Sequence, residues 1–269
     1  MVEFNTLYLE DTLKILKKIP DNSIDMVYGD PDYNVGINYN GNKYTKSWDK
    51  YIEWYCELAK ESMRVLKPTG NLFFINYPKQ NSYLRVKCLD EISYKVYDYV
   101  WVYNSNVGHS PNHLTTAHRS ILHATKTKFN SFYKENIAVP YQNPTDKRII
   151  QRIKNGSTGR MPYSWFYYDL VKNVSKDKTF HACQIPQKLT EMLILSCTKK
   201  DDTVFILFGG SGGEIIQCEQ MSRKWISCEL NQSYYQMIID RLANNGDIKI
   251  EYKLQNKKIK DTILDYING

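Results

Sequence analysis

Three features are missing from these 269 residues, and each absence excludes a class of protein. No apolar run approaches the ~20 residues that span a bilayer, so no membrane partner is expected. The N-terminal stretch MVEFNTLYLEDTL has no basic segment ahead of an apolar one, so no secretory signal is expected. The six cysteines form no C-x-x-C pair, which argues against zinc and favours free thiols in a reducing, cytoplasmic compartment.

Acidic residues are scarce in the middle of the chain. Residues 109–180 carry twelve Lys and Arg but only four Asp and Glu, which accounts for the net charge of +7. The same segment contains SFYKEN, NPTDKRIIQRIKNG and MPYSWFYYDL. Basic residues interleaved with aromatic ones suit a polyanion with stackable bases, so a nucleic acid is a candidate partner. The plain alternative is a solvated basic face over a tyrosine-rich core.

Apolar runs and amphipathic stretches alternate outside this segment. The predicted strands are residues 23–28, 71–76, 97–104, 201–208 and 224–230, with 120–126 as a further candidate. The predicted helices are residues 12–19, 49–67, 83–93, 185–199, 215–221 and 232–244. This alternation predicts an α/β fold with a doubly wound, mostly parallel sheet. Residues 127–178 do not show this alternation of strand and helix patterns, and we interpret them as an insertion.

The stretch GDPDYNVG, residues 29–36, follows the apolar run IDMVY. Asp, Pro, Asn and Gly are turn residues, so an ordinary acidic turn after a strand accounts for the composition. Two acids and a tyrosine at the end of a predicted strand are also a candidate reaction centre. The local sequence does not decide between these interpretations.

A glycine-rich loop lies near the C-terminus. The run TVFILF leads directly into GGSGG, residues 209–213, and then into a helical pattern. Glycines there allow a ligand to approach the backbone and leave N–H groups free at the helix start. Glu229 follows Gly212 by seventeen residues, where an acid binds a ribose diol in nucleotide folds. The G-x-G-x-x-G spacing of NAD sites is absent, and a tight turn with an unrelated glutamate is the plain alternative.

The two ends of the chain together resemble the amino-methyltransferases of DNA that use S-adenosylmethionine (SAM), in the permuted order called the β class. Restriction-modification enzymes of that class carry D-P-P-Y near the N-terminus and F-x-G-S-G near the C-terminus. This chain has DPDY at 30–33 and FGGSG at 208–212. The stretches LYLEDTLKIL, HACQIPQKLTEMLI and RKWISCELNQSYYQMIIDRL resemble the flanking blocks of the family. The likeness covers roughly residues 1–105 and 181–242.

The resemblance implies a Rossmann-like methyltransferase fold of the seven-stranded type. Residues 1–108 and 179–245 would form the catalytic domain, 109–178 a target-recognition insertion, and 246–269 a C-terminal tail. It also implies SAM as the cofactor and double-stranded DNA as the substrate. Homodimers are common in the class, and a restriction endonuclease accompanies many of its members, so both are partners to test for.

The resemblance assigns roles to individual residues. Asp30 and the carbonyl oxygen of Pro31 would accept the two hydrogens of an exocyclic amine, and Tyr33 would stack on the extruded base. Asp30 also counts among the implied cofactor residues. The others are Asp11 in the acid position of the upstream block, Gln184 and Lys188 near the methionine part, Phe208 on the adenine side, Gly209, Gly210, Ser211 and Gly212 along the loop, and Glu229 at the ribose.

The basic middle segment takes the target-recognition role by resemblance. The candidates for phosphate contacts are Lys147, Arg148, Arg152, Lys154 and Arg160. Gln142 and Asn143 are candidates for reading adenine edges, and plain solvent exposure is the alternative for each of these side chains. No acid or cysteine at ligand spacing supports a metal site. We therefore interpret the four histidines of this segment as loop or DNA-facing side chains: His109, His113, His118 and His123.

Two residues depart from the family pattern. Asp32 stands where the family has its second proline, and Ile206 stands where the SAM loop usually opens with an aspartate. That carboxylate ordinarily faces the charged methionine end of the cofactor. One hypothesis is that Asp32 or another acid partly replaces it.

Three functions therefore stay open. An N6-adenine methyltransferase is favoured, because Asp in the first and Tyr in the fourth place of the motif accompany adenine in this family. An N4-cytosine methyltransferase keeps the fold and changes the product. A non-catalytic nucleic-acid-binding relative is the third, and the departures at Asp32 and Ile206 are its support.

Overall fold

The computed structural model describes residues 2–104, 111–172 and 175–253. The strands in these residues are β1 (Thr6–Tyr8), β2 (Ile24–Gly29), β3 (Leu66–Asn76), β4 (Lys95–Val102), β5 (His118–Thr125), β6 (Trp165–Tyr167), β7 (Thr203–Ile206) and β8 (Lys224–Cys228). They form one sheet in the order β1-β8-β7-β2-β3-β5-β4-β6. Only β5 runs antiparallel to its neighbours, β3 and β4. This arrangement confirms the predicted mostly parallel α/β fold.

Helices follow most of the strands. In the described residues they are α1 (Thr12–Leu16), α2 (Trp48–Val65), α3 (Pro78–Leu84), α4 (Asp90–Ile92), α5 (Lys147–Lys154), α6 (Gln187–Cys197), α7 (Gly213–Gln220) and α8 (Gln232–Ala243). The helix predicted at 83–93 instead begins at Pro78, because proline suits the first helical position. A π-helical turn at Arg85–Leu89 separates α3 from α4.

The central strands are buried on both faces. The strands β2 and β7 have the near-continuous apolar sequences IDMVYG and TVFI, as strands covered by helices on each side do. On one face, Tyr55 and Leu58 of α2 belong to the core that also contains Leu16 of α1. On the other face, Leu189 of α6 and Ile238 of α8 belong to a second core.

The strand order reverses between β2 and β7, which lie side by side and run parallel. The strand β2 leads through α2 to β3 on one side, whereas β7 leads through α7 to β8 on the other. In such sheets a crevice opens at the carboxyl ends of the strands where the order reverses. The DPDY turn leaves β2 and the glycine loop leaves β7 at this point, so the topology brings the two motifs together.

The strand β5 belongs to the main sheet. It pairs with β3 over six residues and with β4 over eight. A domain boundary at residue 109 would assign this strand to the insertion, although its hydrogen bonds are made with the catalytic sheet. The segment 109–178 also supplies the edge strand β6, which pairs with β4. The longest part of it that lies outside the sheet is therefore residues 126–164, between β5 and β6.

Two further predictions concern the location of the protein and its C-terminal tail. No helix within residues 2–104, 111–172 and 175–253 is long and apolar enough to cross a bilayer, and the cytoplasmic location stays a prediction. Most of the tail predicted at 246–269 lies outside the described residues, as does His109.

Candidate active site

A cavity opens at the carboxyl ends of β2, β7 and β8, at the reversal point of the sheet. It is lined by residues from both ends of the chain. The residues predicted from the sequence that it brings together are Asp11, Asp30, Pro31, Tyr33, Phe208, Gly209, Gly210, Ser211 and Glu229. The DPDY turn and the glycine loop therefore form one site.

Asp30 is the first residue after β2, and its carboxylate faces this cavity. The hydroxyl of Tyr33 donates a hydrogen bond of 2.6 Å to its Oδ1 atom. Burial raises the pKa of Asp30 to about 7, and the neighbouring carboxylate of Glu214 adds to the rise. The Tyr33 hydrogen bond and the charge of Arg119 oppose it. Asp30 is therefore a carboxyl group that exchanges its proton near neutral pH.

Three hydrogen bonds hold the DPDY turn in place. The Oδ1 atom of Asp32 accepts one of 2.8 Å from the backbone N–H of Asn34, which has a left-handed φ of 58°. The hydroxyl of Tyr51 donates to the carbonyl oxygen of Asp32 at 2.9 Å, and Nε2 of Gln80 donates to that of Tyr33 at 2.7 Å. Asp32 thus stabilises the turn through its side chain, at a position where a proline would stiffen it through its ring.

Glu229 links the end of β8 to the glycine loop. Its Oε2 accepts a hydrogen bond of 2.9 Å from the N–H of Gly210, and its Oε1 accepts one of 2.8 Å from the N–H of Asn231. Each carboxylate oxygen retains a lone pair for a further donor, such as a ribose hydroxyl. Gly210 has a φ of 54°, a left-handed conformation that favours glycine.

Aromatic side chains form one wall of the cavity. The ring of Phe208 lies 6.1 Å from that of Trp54, and the Lys46 ammonium lies 4.7 Å from the Trp54 ring. Tyr39 and Tyr44 also line the cavity. A flat heterocycle such as adenine packs well against a wall of this kind.

Three predicted cofactor residues lie outside the cavity lining, namely Gln184, Lys188 and Gly212. The amide of Gln184 is engaged within its own loop, where it donates to the carbonyl oxygen of Asp177 at 2.7 Å. Lys188 is exposed on α6. Gly212, with a φ of 77°, caps α7 and packs against Ile238, so its part is to shape the loop.

Asp11 does line the cavity, but its carboxylate is also used within the fold. Its Oδ1 atom caps α1 by accepting hydrogen bonds from the N–H groups of Leu13 at 2.9 Å and Lys14 at 3.3 Å. Side-chain caps of this type stabilise helix starts by about 1 kcal/mol.

Arg119 is a residue near the site that sequence reasoning missed. Its guanidinium lies 3.8 Å from the ring of Tyr77 and 5.4 Å from that of Tyr33. It donates hydrogen bonds to the hydroxyls of Tyr103 and Tyr77, the latter at 3.0 Å. The pairing of β5 with β3 brings it there, and the local sequence carries no signal of that pairing.

Two buried ionisable residues of the cavity were also missed, Glu214 and His181. Burial raises the pKa of Glu214 to about 7 and lowers that of His181 to about 4. The His181 ring lies 4.7 Å from that of Tyr234, and its buried Nδ1 atom lacks a hydrogen-bond partner among the described residues. His181 is the first residue of the block HACQIP. The resemblance to the family includes this block but assigns no role to His181.

The predicted phosphate contacts lie mainly on one exposed helix. The helix α5 carries Lys147, Arg148, Arg152 and Lys154, and all four are exposed. Arg148 forms an ion pair of 3.2 Å with Asp146. Arg160 lies apart from this helix, with its guanidinium 4.3 Å from the ring of Tyr163.

His123 is buried within β5, where its ring contacts Tyr99 at 3.1 Å and Asn71 at 2.8 Å through its two nitrogens. The interpretation of His123 as a loop or DNA-facing residue is therefore wrong, because the pairing of β5 between two strands places it in the core. Within the described part of the chain, no group of three or more His, Cys, Asp or Glu is arranged to hold a metal ion.

Comparisons with known proteins agree with this geometry. The N6_N4_Mtase family, described as DNA methylase, matches residues 24–240. The chain is 28% identical to the type II methyltransferase M.HpaI of Haemophilus parainfluenzae, covering 93% of this chain and 78% of that protein. It is also 28% identical to the DNA adenine methyltransferase YhdJ of Escherichia coli, covering 96% of this chain and 89% of that protein.

Solved structures share the fold at lower identity. The PvuII DNA methyltransferase, described as cytosine-N4-specific, has a TM-score of 0.67 at 19% identity, covering 100% of this chain and 94% of that one. The SAM complex of M1.HpyAVI has a TM-score of 0.61 at 20% identity, covering 88% of this chain and 98% of that one. The Rossmann-like methyltransferase fold is thereby confirmed.

Proposed function

Because the chain belongs to the N6_N4_Mtase family of DNA methylases, we propose that it transfers a methyl group from SAM to the N6 amine of adenine in a specific duplex sequence. The observation that carries the proposal is the single cavity that joins Asp30 to the glycine loop and Glu229. That cavity places a nucleotide-type binding surface next to a carboxylate that exchanges its proton near neutral pH.

The cofactor is SAM, which the solved complex of the M1.HpyAVI neighbour also contains. The residues present fit it: Glu229 has lone pairs for the ribose hydroxyls, and the wall that contains Phe208 and Trp54 suits adenine. The loop at Gly210 lets the ligand approach the backbone closely. When bound, SAM supplies a methyl group already activated on a sulfonium.

The protein must make a poor nucleophile reactive. The lone pair of an exocyclic amine is delocalised into the ring of the base. We propose that the Asp30 carboxylate and the Pro31 carbonyl accept the two amine hydrogens, which turns the lone pair towards the methyl donor. Asp30 performs this task only when it is ionised. The tight hydrogen bonds around Asp32 and Tyr33 keep both acceptors in position.

The target base must leave the duplex to reach this site, because its amine is buried in the base stack. Tyr33 lines the cavity beside Asp30, and we propose that it stacks on the extruded base. The exposed cations of α5, together with Arg160, would contact DNA phosphates. We propose that the target-recognition region is the part of the insertion between β5 and β6, residues 126–164.

Adenine is preferred over cytosine for two reasons. The motif begins with Asp and ends with Tyr, and the relative YhdJ, which aligns along nearly the whole chain, is described as a DNA adenine methyltransferase. N4-cytosine methylation is the second candidate, because the PvuII enzyme that shares the fold has that specificity. The type II description of M.HpaI supports a cognate restriction endonuclease as a partner to test for. A homodimer stays a prediction.

Nucleoside analysis tests the proposed function. Bacterial DNA free of adenine and cytosine methylation is incubated with the protein and SAM that carries a deuterated methyl group, then hydrolysed and analysed by mass spectrometry. We expect deuterated N6-methyldeoxyadenosine with the natural protein and none with Asp30→Ala. Deuterated N4-methyldeoxycytidine would support the second candidate instead. No labelled nucleoside with any DNA would support the non-catalytic binder.

A further inference from the structure

Glu214 is a buried carboxylate in the cavity that has no part in the proposed transfer of the methyl group. It is the second residue of α7, is 8% exposed and lines the cavity. None of the ion pairs formed within the described residues involves it. The nearby Arg241 guanidinium instead bonds to the carbonyl oxygens of Ser211 and Gly246. A buried acid without a direct cationic partner is costly in its ionised form unless a ligand provides the opposite charge.

The position of Glu214 is informative because of its neighbour on β2. Its Oε1 atom lies 3.5 Å from the hydroxyl of Tyr28. Tyr28 pairs in register with Ile206 of β7, so both side chains stand on the same face of the sheet. The carboxylate of Glu214 therefore lies on the same face of the sheet as Ile206, beside the strand residue that pairs with it. In the family that this chain resembles, the position of Ile206 is the aspartate that opens the SAM loop.

Asp32 is the competing acid, and its contacts argue against it. One of its carboxylate oxygens, Oδ1, is bonded to the N–H of Asn34. The other, Oδ2, is shut off from solvent and lacks a partner among the described residues. Asp32 lines the cavity, but one of its oxygens is used within the turn and the other is buried. Glu214 has no hydrogen bond to the backbone of that turn, and its neighbour Tyr28 pairs with Ile206.

We propose that Glu214 binds the ammonium group at the methionine end of the cofactor, in place of the carboxylate that Ile206 lacks. The proposal rests on SAM being the cofactor, as stated under the proposed function. An ammonium there would neutralise the charge of Glu214. The repulsion by Glu214 raises the pKa of Asp30. A bound ammonium would weaken this repulsion and so lower the pKa of Asp30.

The test compares two uncharged-sulfur ligands that differ only in the ammonium: S-adenosylhomocysteine and its desamino analogue. Their dissociation constants are measured by calorimetry for the natural protein and for Glu214→Gln. We expect the natural protein to prefer S-adenosylhomocysteine by at least about tenfold, and Glu214→Gln to lose most of this preference while binding the desamino analogue normally. Retained binding of the desamino analogue shows that the variant is folded.

Three further variants sharpen the test. Asp32→Asn removes the competing acid, and Glu219→Gln removes an exposed acid from the same helix, so both should keep the natural preference. The double variant Ile206→Asp/Glu214→Gln should regain it, because the carboxylate returns at the neighbouring position. An unchanged preference in Glu214→Gln, or its loss in Asp32→Asn, would overturn the proposal while leaving the proposed function intact. Failure of the natural protein to bind SAM or S-adenosylhomocysteine at all would instead overturn the proposed function.

Discussion

At the scale of single residues, the acidity of Asp30 is the property with the most direct consequence for function. Asp30 is half-buried at the end of β2, and this burial, together with the carboxylates of Glu214 and Asp32, raises its pKa to about 7. The proposed mechanism needs the ionised form, because a protonated carboxyl group has lost part of its capacity to accept hydrogens from an amine. The protonation state of one side chain should therefore limit the reaction below neutral pH.

A pH profile tests this residue-scale claim. A raised pKa means that Asp30 is mostly protonated at about pH 6 and mostly ionised at about pH 8, so the rate should increase with pH. With SAM and DNA both saturating, we expect the single-turnover rate to rise by up to about tenfold over that interval, and by less to the extent that bound SAM lowers the pKa of Asp30, and to level off above it. A rate that is flat from about pH 6 to 9, or that falls with rising pH, would contradict the assignment.

The sequence identifies part of this site and not the rest, for physical reasons. Asp30, Pro31 and Tyr33 are neighbours in the chain, so a local motif reveals them. Glu214 and Arg119 act through the packing of α7 and the pairing of β5, and no local pattern encodes those long-range contacts. The departure at Asp32 is visible in the sequence, but the hydrogen bond to Asn34 that makes it part of the turn is not.

At the scale of elements, the buried strands were the easiest to predict. Continuous apolar runs such as IDMVY and TVFILF are short, and a short apolar run of this kind is typical of a buried strand. The strands β1 and β6 were missed because each is only three residues long. The helix α5 was missed because it stands exposed, with no residue buried, so basic charge rather than an apolar face dominates its sequence.

The exposure of α5 leads to a prediction about DNA binding. Removing two of its cations that form no ion pair within the described residues, with Lys147→Gln and Arg152→Gln, should weaken binding to all duplex sequences and reduce the salt dependence. Each lost phosphate contact lowers the slope of log affinity against log salt by about 0.9. Fluorescence anisotropy over a salt series measures this slope.

The matched control is Lys199→Gln with Lys200→Gln. These exposed lysines precede β7, at the end of the sheet opposite the cavity. The control pair should leave the slope unchanged. Equal effects of the two pairs would show that net charge, rather than the position of α5, governs the binding of DNA.

At the scale of the whole molecule, the fold joins motifs that lie more than half the chain apart. The neighbours β2 and β7 deliver the DPDY turn and the glycine loop to one crevice. The order of the motifs in the sequence predicts this meeting through the resemblance to a known family. It does not predict which side chains face the cavity, and for that reason Gln184 and Lys188 were expected there and lie elsewhere.

The central claim is that one cavity holds the methyl donor and presents the target amine to the Asp30 carboxylate. The most direct test is single-turnover methyl transfer to DNA by Asp30→Asn with SAM already bound, together with the dissociation constant of SAM. We predict that SAM still binds while the transfer rate falls by at least about 100-fold, because a neutral amide oxygen is a weaker acceptor for the amine hydrogens than a charged carboxylate. A transfer rate within a few fold of the natural protein, with SAM bound, would contradict the claim.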